Sequence, residues 1–350
     1  MIRNLAKKLV LLWFYTFTFA FRKRSRALLI VTYHRISQVP DSTDPLKVSV
    51  ATLESQLRYL SEHFTIISAQ ELRDIIAGRR TLAEHACLIT FDDGWADNFT
   101  NGLPILVKYE VPAVVFLSTD FIGTGRVFWT VALRALLNEA APGPTLDVAL
   151  SRWPPGIAVK VRTAYGLQTG LRGELINEII EGLKPCSVSE IDEFVSCLRG
   201  LYLNPPIESD GAMLTWEQVS EMQKCGVAFG SHCGSHAILT MLDEDEGRNE
   251  IRGSREILES RLGAPVDLIA YPNGNFDERV TRLAHEAGYV AGFTCIPGVN
   301  WSFENPLELR RLNMTEDSAS GLSGVFSPLF FSVELSGTRF ALTRAYRHNW

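Results

Sequence analysis

The sequence predicts an α/β fold built on a parallel sheet or a (β/α) barrel, and three observations support this. Short apolar runs alternate with amphipathic, helix-like segments along most of the chain. The runs are apolar on both faces, as expected of strands buried in a parallel sheet. Polar residues stand at the carboxyl ends of several runs: His34, Asp92, Asp93, His232 and Pro272 to Gly274. Active sites of (β/α) barrels form at that edge, so the pattern also predicts where the chemistry lies.

Each predicted element has a basis in the sequence. The strands are apolar runs, in chain order ALLIVTYH (27–34), ACLITFDDG (86–94), VPAVVFLSTD (111–120), GVAFGSH (226–232), PVDLIAYPNG (265–274) and YVAGFT (289–294). The helices repeat apolar residues every three or four positions; they include VATLESQLRYLSEHF (50–64), TWEQVSEMQKC (215–225), RNEIRGSREILESRL (248–262) and DERVTRLAHEAG (277–288). Thr215 and Gln218 have capping-box spacing, which predicts that a helix begins there.

Residues from about 123 to 212 break this alternation. They contain the helix-like segments FWTVALRALL, LRGELINEIIEGL and SEIDEFVSCLRGLYL, separated by proline- and glycine-rich pieces. We therefore predict a mainly helical subdomain inserted into one domain that spans residues 27–318. Residues 319–350 form a C-terminal tail whose role the sequence does not assign.

Composition excludes some classes of function. The net charge is −6 and the isoelectric point is near 5.7, whereas nucleic-acid binding needs a basic face. The six cysteines are scattered and form no CxxC pair. This pattern favours buried free thiols over a disulfide framework or a thiolate zinc cluster.

The N-terminal segment, residues 1–26, differs from the rest of the chain. An uncharged run from Leu9 to Phe21 lies between Lys7–Lys8 and the basic stretch RKRSR. The run is shorter than the roughly 20 residues that span a bilayer, and no small-residue cleavage site follows it. We expect an aromatic-rich helix that lies in the membrane interface, with cations meeting anionic head groups. The alternative is a first core helix. Free thiols and the missing cleavage site favour the cytoplasmic face.

Two polar clusters predict a metal site. His232 and His236 stand four residues apart in GSHCGSH, at the end of a predicted strand. Together with one carboxylate from the Asp92–Asp93 pair, they match the two-histidine, one-carboxylate donor set that leaves positions for water and substrate. Such a site supports metal-assisted hydrolysis. The second carboxylate would stay free and take a proton from the attacking water. A nearby dication would offset the repulsion between the two acids.

Three motifs resemble those of the polysaccharide deacetylases, also called NodB-homology proteins or carbohydrate esterase family 4. They are TFDDG (90–94), SHCGSH (231–236) and AYPNG (270–274), and the resemblance covers about residues 27–315. It implies a distorted, incomplete (β/α) barrel of the NodB type, a divalent metal that is often zinc, and hydrolysis of N-acetyl groups on amino sugars.

The resemblance also implies roles for individual residues. Asp93, His232 and His236 would bind the metal and Asp92 would be the general base. A backbone N–H near Asn273 would help stabilise the oxyanion. Tyr271, Trp95 and Trp129 are aromatic residues that could stack on sugar rings. For Trp129, packing in the core is at least as good an interpretation. Cys233 is expected to be a small packed side chain.

Two positions depart from the family pattern. Ala270 stands where many members carry an arginine that braces the base, and LRRLNM (309–314) lacks a late histidine that protonates the leaving amine. The opening "YH" resembles the poly-N-acetylglucosamine deacetylase branch, in which an N-terminal histidine supplies the acid. We therefore expect His34 to be the general acid and Arg310 or Arg311 to brace the base. With Tyr271 and Asn273, Arg311 is also a candidate for contact with the substrate or the oxyanion.

The sequence thus favours a metal-dependent deacetylase acting on an N-acetylated polysaccharide, an exopolysaccharide or lipid-linked glycan. Two alternatives stay open. One is a non-catalytic glycan-binding or scaffold protein on the same fold. The other is an amidase or esterase with a non-sugar substrate, since fold alone does not define function.

Overall fold

The computed structural model describes residues 26–40, 44, 46–139, 141, 143, 145–167, 169–205, 212–320 and 325–336. The chain divides into two compact units: the first holds the residues up to Ile122 and those from Leu214 onward, and the second is Gly123–Met213. The apolar run Leu9–Phe21 lies outside the described residues, so its membrane association stays a prediction. Among the described residues, no helix is both long and apolar enough to cross a bilayer.

The strands of the first unit follow the apolar runs of the sequence. In chain order they are β1 (Leu28–Tyr33), β2 (Arg35–Ser37), β3 (Lys47–Ser49), β4 (Thr65–Ile66), β5 (Ala86–Phe91), β6 (Ala113–Leu117), β7 (Ala228–Ser231), β8 (Leu268–Ala270), β9 (Ala291–Phe293) and β10 (Leu312–Asn313). Every residue of β1, β5 and β6 is buried, as the apolar character of both strand faces predicted.

One curled, parallel sheet contains most of these strands. Its order is β10-β1-β5-β6-β7-β8-β9, with β4 pairing beside β5, while β2 and β3 form a separate pair. The register pairs Tyr33 with Phe91 and Leu117 with Ser231, so the carboxyl ends of the strands share one edge. Beyond β9, Phe293 forms only an isolated parallel bridge with Leu309. The sheet curls towards closure but is incomplete there, which confirms the predicted distorted (β/α) barrel.

Helices alternate with the strands along the chain. They are α1 (Val50–His63), α2 (Ala69–Ile76), α3 (Leu103–Lys108), α4 (Trp129–Asn138), α5 (Thr145–Leu150), α6 (Pro155–Gly166), α7 (Thr169–Leu183), α8 (Val188–Arg199), α9 (Trp216–Lys224), α10 (Glu244–Leu262), α11 (Glu278–Glu286) and α12 (Pro328–Leu335). The predicted capping box at the start of α9 is confirmed, because the Thr215 hydroxyl accepts from the Gln218 N–H and the Gln218 side chain accepts from the Thr215 N–H. Such caps contribute about 1 kcal/mol each.

The core of the first unit lies inside the curled sheet and beneath its helices. Phe116 of β6 and Phe293 of β9 meet there with ring centroids 4.9 Å apart. Both rings are fully buried, and burial of each contributes about 1.5–3 kcal/mol. This packing holds non-neighbouring strands of the sheet against one another, and so fixes the edge at which their carboxyl ends meet.

The second unit is helical and has a core of its own. Apolar residues of α4, α6, α7 and α8 form one buried cluster, which includes Leu133, Val161, Ile179 and Phe194. Trp129 packs against this cluster, so a core role accounts for this tryptophan.

In the C-terminal tail, the Phe331 ring of α12 meets the Tyr59 ring of α1 edge-on at 5.4 Å.

Candidate active site at the carboxyl edge of the sheet

The loop after β5 carries the two adjacent acids. Asp93 has a φ of 77° and Gly94 has a φ of 87°, both in the left-handed region. A Cβ at Gly94 would lie 2.7 Å from Leu117 Cδ2, so a side chain there would displace Leu117 as well as strain the left-handed backbone. The sharp turn keeps both carboxylates at the strand edge instead of sending them to opposite faces. Asp92 and Asp93 are 1% and 4% exposed.

Asp93 faces the two histidines of the loop after β7. Its Oδ1 lies 3.3 Å from His232 Nε2 and 3.3 Å from His236 Nε2. One ligand atom from each of the three residues lies within 4.8 Å of the others. The His232 ring is buried, and the His236 side chain is 27% exposed. The structure therefore brings together the three residues expected to bind a metal.

The hydrogen bonding of His232 indicates what this cluster binds. His232 Nδ1 lies 2.7 Å from the carbonyl oxygen of Ala270, which can only accept, so Nδ1 carries the proton. In the neutral ring, Nε2 then presents a lone pair to the Asp93 carboxylate. A cation between the two acceptors satisfies both. Two imidazole nitrogens and one carboxylate oxygen suit zinc and similar divalent metals, so these residues fit the expected ion.

The electrostatics of the site also favour a positive charge. Burial would raise the pKa of Asp93, but the adjacent His232 and His236 side chains hold it well below its usual range. Burial would lower the pKa of His232, but Asp93 and Asp92 outweigh burial and raise it. Burial lowers the pKa of His236 and dominates there. An ionised carboxylate and a neutral imidazole are the forms that bind a metal. Asp93 and His236 are shifted towards these forms, whereas at His232 a proton competes with the ion.

Trp95 orients the Asp93 carboxylate. Its indole Nε1–H donates to Asp93 Oδ2 at 2.8 Å, which leaves Oδ1 towards the histidines. The Arg35 guanidinium lies over the indole at 4.7 Å. Trp95 is only 1% exposed, so it offers no face to a sugar ring. The predicted stacking role of Trp95 is therefore wrong, and Trp95 instead orients the Asp93 carboxylate.

Asp92 has a different partner from Asp93. Arg311 Nη1 and Nη2 donate to the two Asp92 oxygens, each at 2.7 Å, and Arg311 Nε donates to the Thr294 carbonyl at 2.9 Å. Burial alone would raise the pKa of Asp92, but the charge and hydrogen bonds of Arg311, together with His232 and His34, outweigh burial and lower the pKa. Of the two arginines considered, Arg311 is buried at 1% exposure and Arg310 is exposed.

His34 follows β1 and faces the same acid. Its Nε2 lies 3.9 Å from Asp92 Oδ2, and its side chain is 15% exposed. Asn98 holds the backbone there, because its Nδ2 donates to the His34 carbonyl at 2.7 Å. The ring therefore stands beside Asp92 with access to solvent, as a group that exchanges protons with a substrate requires.

Comparisons with known proteins show the family of the chain. The profile of the family described as polysaccharide deacetylase matches residues 79–149 and 189–292, half of the chain. The chain belongs to the polysaccharide deacetylase family. It is 20% identical over 300 residues to YxkH of Bacillus subtilis, a candidate polysaccharide deacetylase, covering 85% of this chain and 75% of YxkH. Over 85 residues it is 28% identical to the poly-beta-1,6-N-acetyl-D-glucosamine N-deacetylase of Escherichia coli, covering 24% of this chain and 13% of that enzyme.

Solved structures of deacetylases share the fold. The Streptococcus pyogenes deacetylase PplD, in complex with acetate, superposes with a TM-score of 0.57 at 18% identity, covering 89% of this chain and all of PplD. IcaB from Ammonifex degensii gives a TM-score of 0.55 at 19% identity, covering 84% of this chain and 94% of IcaB. These neighbours confirm the predicted NodB-type architecture of the chain.

Two predicted substrate residues of this chain follow β8. Tyr271 is fully buried and its hydroxyl donates to the Leu307 carbonyl at 2.9 Å. That placement contradicts the predicted substrate contact of Tyr271, because no face of the ring reaches the edge. Asn273 lies in the short turn Pro272–Gly274 with a φ of 57°. The oxyanion role of its backbone N–H stays a prediction.

Arg311 is the third predicted substrate or oxyanion residue and also one of the two candidate braces of the base. Its guanidinium is occupied by Asp92 and the Thr294 carbonyl, so it acts on the acid and not on a substrate. Sequence reasoning missed Trp95 as a partner of Asp93, and Asn98 as a support for His34. For Trp95, its position two residues after Asp93 was the available signal, because the turn at Gly94 brings the chain back on itself.

Proposed function

We propose that the chain is a metal-dependent hydrolase that removes N-acetyl groups from an amino-sugar-containing polysaccharide or lipid-linked glycan. The observation that carries this proposal is the division between two adjacent acids. Asp93 faces two imidazoles, whereas Asp92 is held by Arg311 and faces His34. A non-catalytic binding protein could use the cluster around Asp93 to hold a metal, but it would not need the arrangement around Asp92. That arrangement gives an ionised, unligated carboxylate beside the ligand cluster, as general-base catalysis of hydrolysis requires.

In this proposal Asp93, His232 and His236 hold a divalent cation, and zinc suits their donor set best. When bound, the cation supplies Lewis acidity to the acetamide carbonyl and lowers the pKa of water. Trp95 keeps Asp93 turned so that Oδ1 serves the cation. The backbone N–H near Asn273 adds a hydrogen bond to the developing oxyanion.

Asp92 and His34 divide the proton transfers. Asp92 takes a proton from water as the water oxygen bonds to the acetyl carbon, and Arg311 keeps that carboxylate ionised and oriented. His34 then gives a proton to the amine nitrogen as the carbon–nitrogen bond breaks. The products are acetate and a free amino sugar. The low pKa of Asp92 means that the base is ionised throughout the neutral range.

The substrate class rests on the comparisons as well as on the site. The Escherichia coli relative acts, by its name, on a polymer of N-acetylglucosamine, and PplD holds acetate, which is a product of deacetylation. We therefore propose N-acetylglucosamine polymers as the first substrates to test. Acetate release should be compared with hydrolysis of simple acetyl esters and anilides. Hydrolysis of those compounds alone would support an amidase or esterase, and hydrolysis of none would favour a glycan-binding protein.

We also propose that the N-terminal segment attaches the protein to an anionic membrane surface. The support is the apolar run Leu9–Phe21 and the basic stretch that follows it. The test is sedimentation of the full chain with vesicles containing phosphatidylserine or only phosphatidylcholine. The matched variant replaces Arg22, Lys23, Arg24 and Arg26 with glutamine. Salt-sensitive binding that this variant loses is expected; equal binding to both vesicles would contradict an electrostatic contribution.

A further inference from the structure

The loop from Ser231 to His236 has an unusual backbone. Cys233 has a φ of 62° and His236 has a φ of 60°, so two non-glycine residues of this short loop adopt the left-handed conformation. Non-glycine residues rarely adopt that backbone conformation unless surrounding contacts enforce it. The loop carries two of the three residues that face one another in the candidate metal site. What holds this backbone therefore also decides where the His236 ring points.

Helix α10 supplies the contacts that hold the second half of the loop. Glu250 Oε2 accepts from the backbone N–H groups of Gly234 and Ser235, at 2.8 and 2.9 Å. Glu250 Oε1 accepts from the Ser235 hydroxyl at 2.6 Å. One carboxylate thus takes three hydrogen bonds from the two residues immediately before His236. Hydrogen bonds to an ionised carboxylate are roughly twice as strong as neutral ones.

The same helix holds the first half of the loop. Ser254 stands four residues after Glu250, on the same face of α10. Its hydroxyl lies 2.6 Å from the Ser231 hydroxyl, which accepts from the Cys233 N–H at 3.0 Å. Ser254 therefore supports the part of the loop next to His232, and Glu250 supports the part next to His236. The two contacts act on different ligands.

Gly234 lies between two acidic side chains, Glu250 and Asp120. A Cβ at Gly234 would lie 3.2 Å from Glu250 Oε2 and 3.3 Å from Asp120 Oδ1. On the other side, the Gly234 carbonyl accepts from the Asp120 N–H at 3.1 Å. Gly234 is therefore held between α10 and the segment after β6. Without Glu250, the hydrogen bond from the Asp120 N–H would remain and the support from α10 would be lost.

We propose that Glu250 is a positioning residue that fixes His236 for metal binding through the backbone of Gly234 and Ser235. The inference rests on the proposed metal site and goes beyond it. Glu250 touches neither the ion nor the substrate in this account. Its effect passes through His236, so the effect must disappear when His236 is absent.

The test measures the dissociation constant of zinc by competition with a chelator. Samples are the full chain and its Glu250→Ala, Glu250→Gln and Glu256→Ala variants. Glu256 lies on the same helix and contacts Arg252 at the surface, so Glu256→Ala is the matched control. Loss of an outer hydrogen-bond partner weakens metal binding about 10- to 100-fold, and Glu250→Ala should do so. Glutamine keeps an acceptor for the two N–H groups and should fall between alanine and wild type.

A double-mutant cycle with His236→Ala separates positioning from general support of the fold. Calorimetric titration suits the weaker zinc binding of that background. Glu250→Ala should have no further effect on zinc affinity there, while thermal unfolding without metal reports any separate loss of stability. An equal effect in both backgrounds would overturn the inference, as would wild-type zinc affinity in a folded Glu250→Ala protein. Absence of zinc binding by the wild type would instead refute the metal site, and the inference with it.

Discussion

Arg311 and Asp92 form a buried, bidentate ion pair in which both nitrogen–oxygen distances are 2.7 Å. The two residues are 219 positions apart, and they meet because the segment before β10 lies beside β1, which pairs with β5. Ala270, where many family members carry the bracing arginine, instead uses its carbonyl to bind His232. In this chain Arg311 therefore holds the acid, and residue 270 does not.

Replacing Arg311 with methionine should destabilise the protein strongly. The change leaves Asp92 buried without a compensating charge, and breaking a buried pair in this way costs about 3–5 kcal/mol. Urea unfolding with a metal chelator present measures the free energy. The control is Arg252→Met, which removes an exposed pair with Glu256 and should change stability by under about 1 kcal/mol. Equal effects of the two variants would contradict the account.

The pair also predicts how stability depends on pH. The folded-state pKa of Asp92 lies below its unfolded value, so the pair stabilises the fold above the unfolded pKa and loses this contribution as pH falls through the folded pKa. The unfolding free energy of the metal-free wild type, relative to Asp92→Asn, should therefore shrink below about pH 4. A difference that does not shrink in acid would contradict this account of the pair.

His34 should affect turnover and not metal binding. Replacing it with glutamine removes the proposed proton donor to the leaving amine, and loss of such a group costs about 100- to 10,000-fold in rate. The His34 ring faces Asp92 across 3.9 Å, whereas the metal cluster comprises other residues, so zinc affinity should remain close to wild type. Acetate release and chelator competition measure the two quantities. Unchanged turnover would remove His34 from the mechanism.

Trp95 should affect metal binding through Asp93. Trp95→Phe keeps an aromatic ring but removes the N–H that donates to Asp93 Oδ2, and we expect zinc affinity to fall about tenfold. Trp301→Phe is the control, because Trp301 is 53% exposed. Zinc affinity that is the same in both variants would mean that the indole only fills space.

Much of the fold could be predicted from the sequence. The strands of a parallel sheet are apolar on both faces, so runs such as ACLITF stand out, and the polar residues at their ends mark the edge of the sheet. The ligand cluster was predictable because each half is local: Asp93 stands at one strand end, and His232 and His236 share one short loop. The closing bridge between Phe293 and Leu309 had no signal, since a single pair leaves no periodic pattern.

The contacts around the ligands were harder to predict because they join distant segments. The choice between Arg310 and Arg311 depends on which of two neighbouring side chains faces the interior, and LRRLNM does not show this. Tyr271 was misjudged because an aromatic residue at a strand end serves equally well for packing or for binding a sugar. Its hydroxyl finds the Leu307 carbonyl, a partner that only the fold reveals.

The most direct test of the central claim is acetate release from N-acetylglucosamine oligomers by the purified full chain. Zinc-loaded protein, chelator-treated protein and Asp92→Asn should be compared in one experiment, with zinc binding of each confirmed separately. The account predicts release by the loaded wild type, loss on chelation with recovery on adding zinc, and loss in Asp92→Asn despite bound zinc. Release that survives chelation, or that Asp92→Asn retains at the wild-type rate, would contradict it.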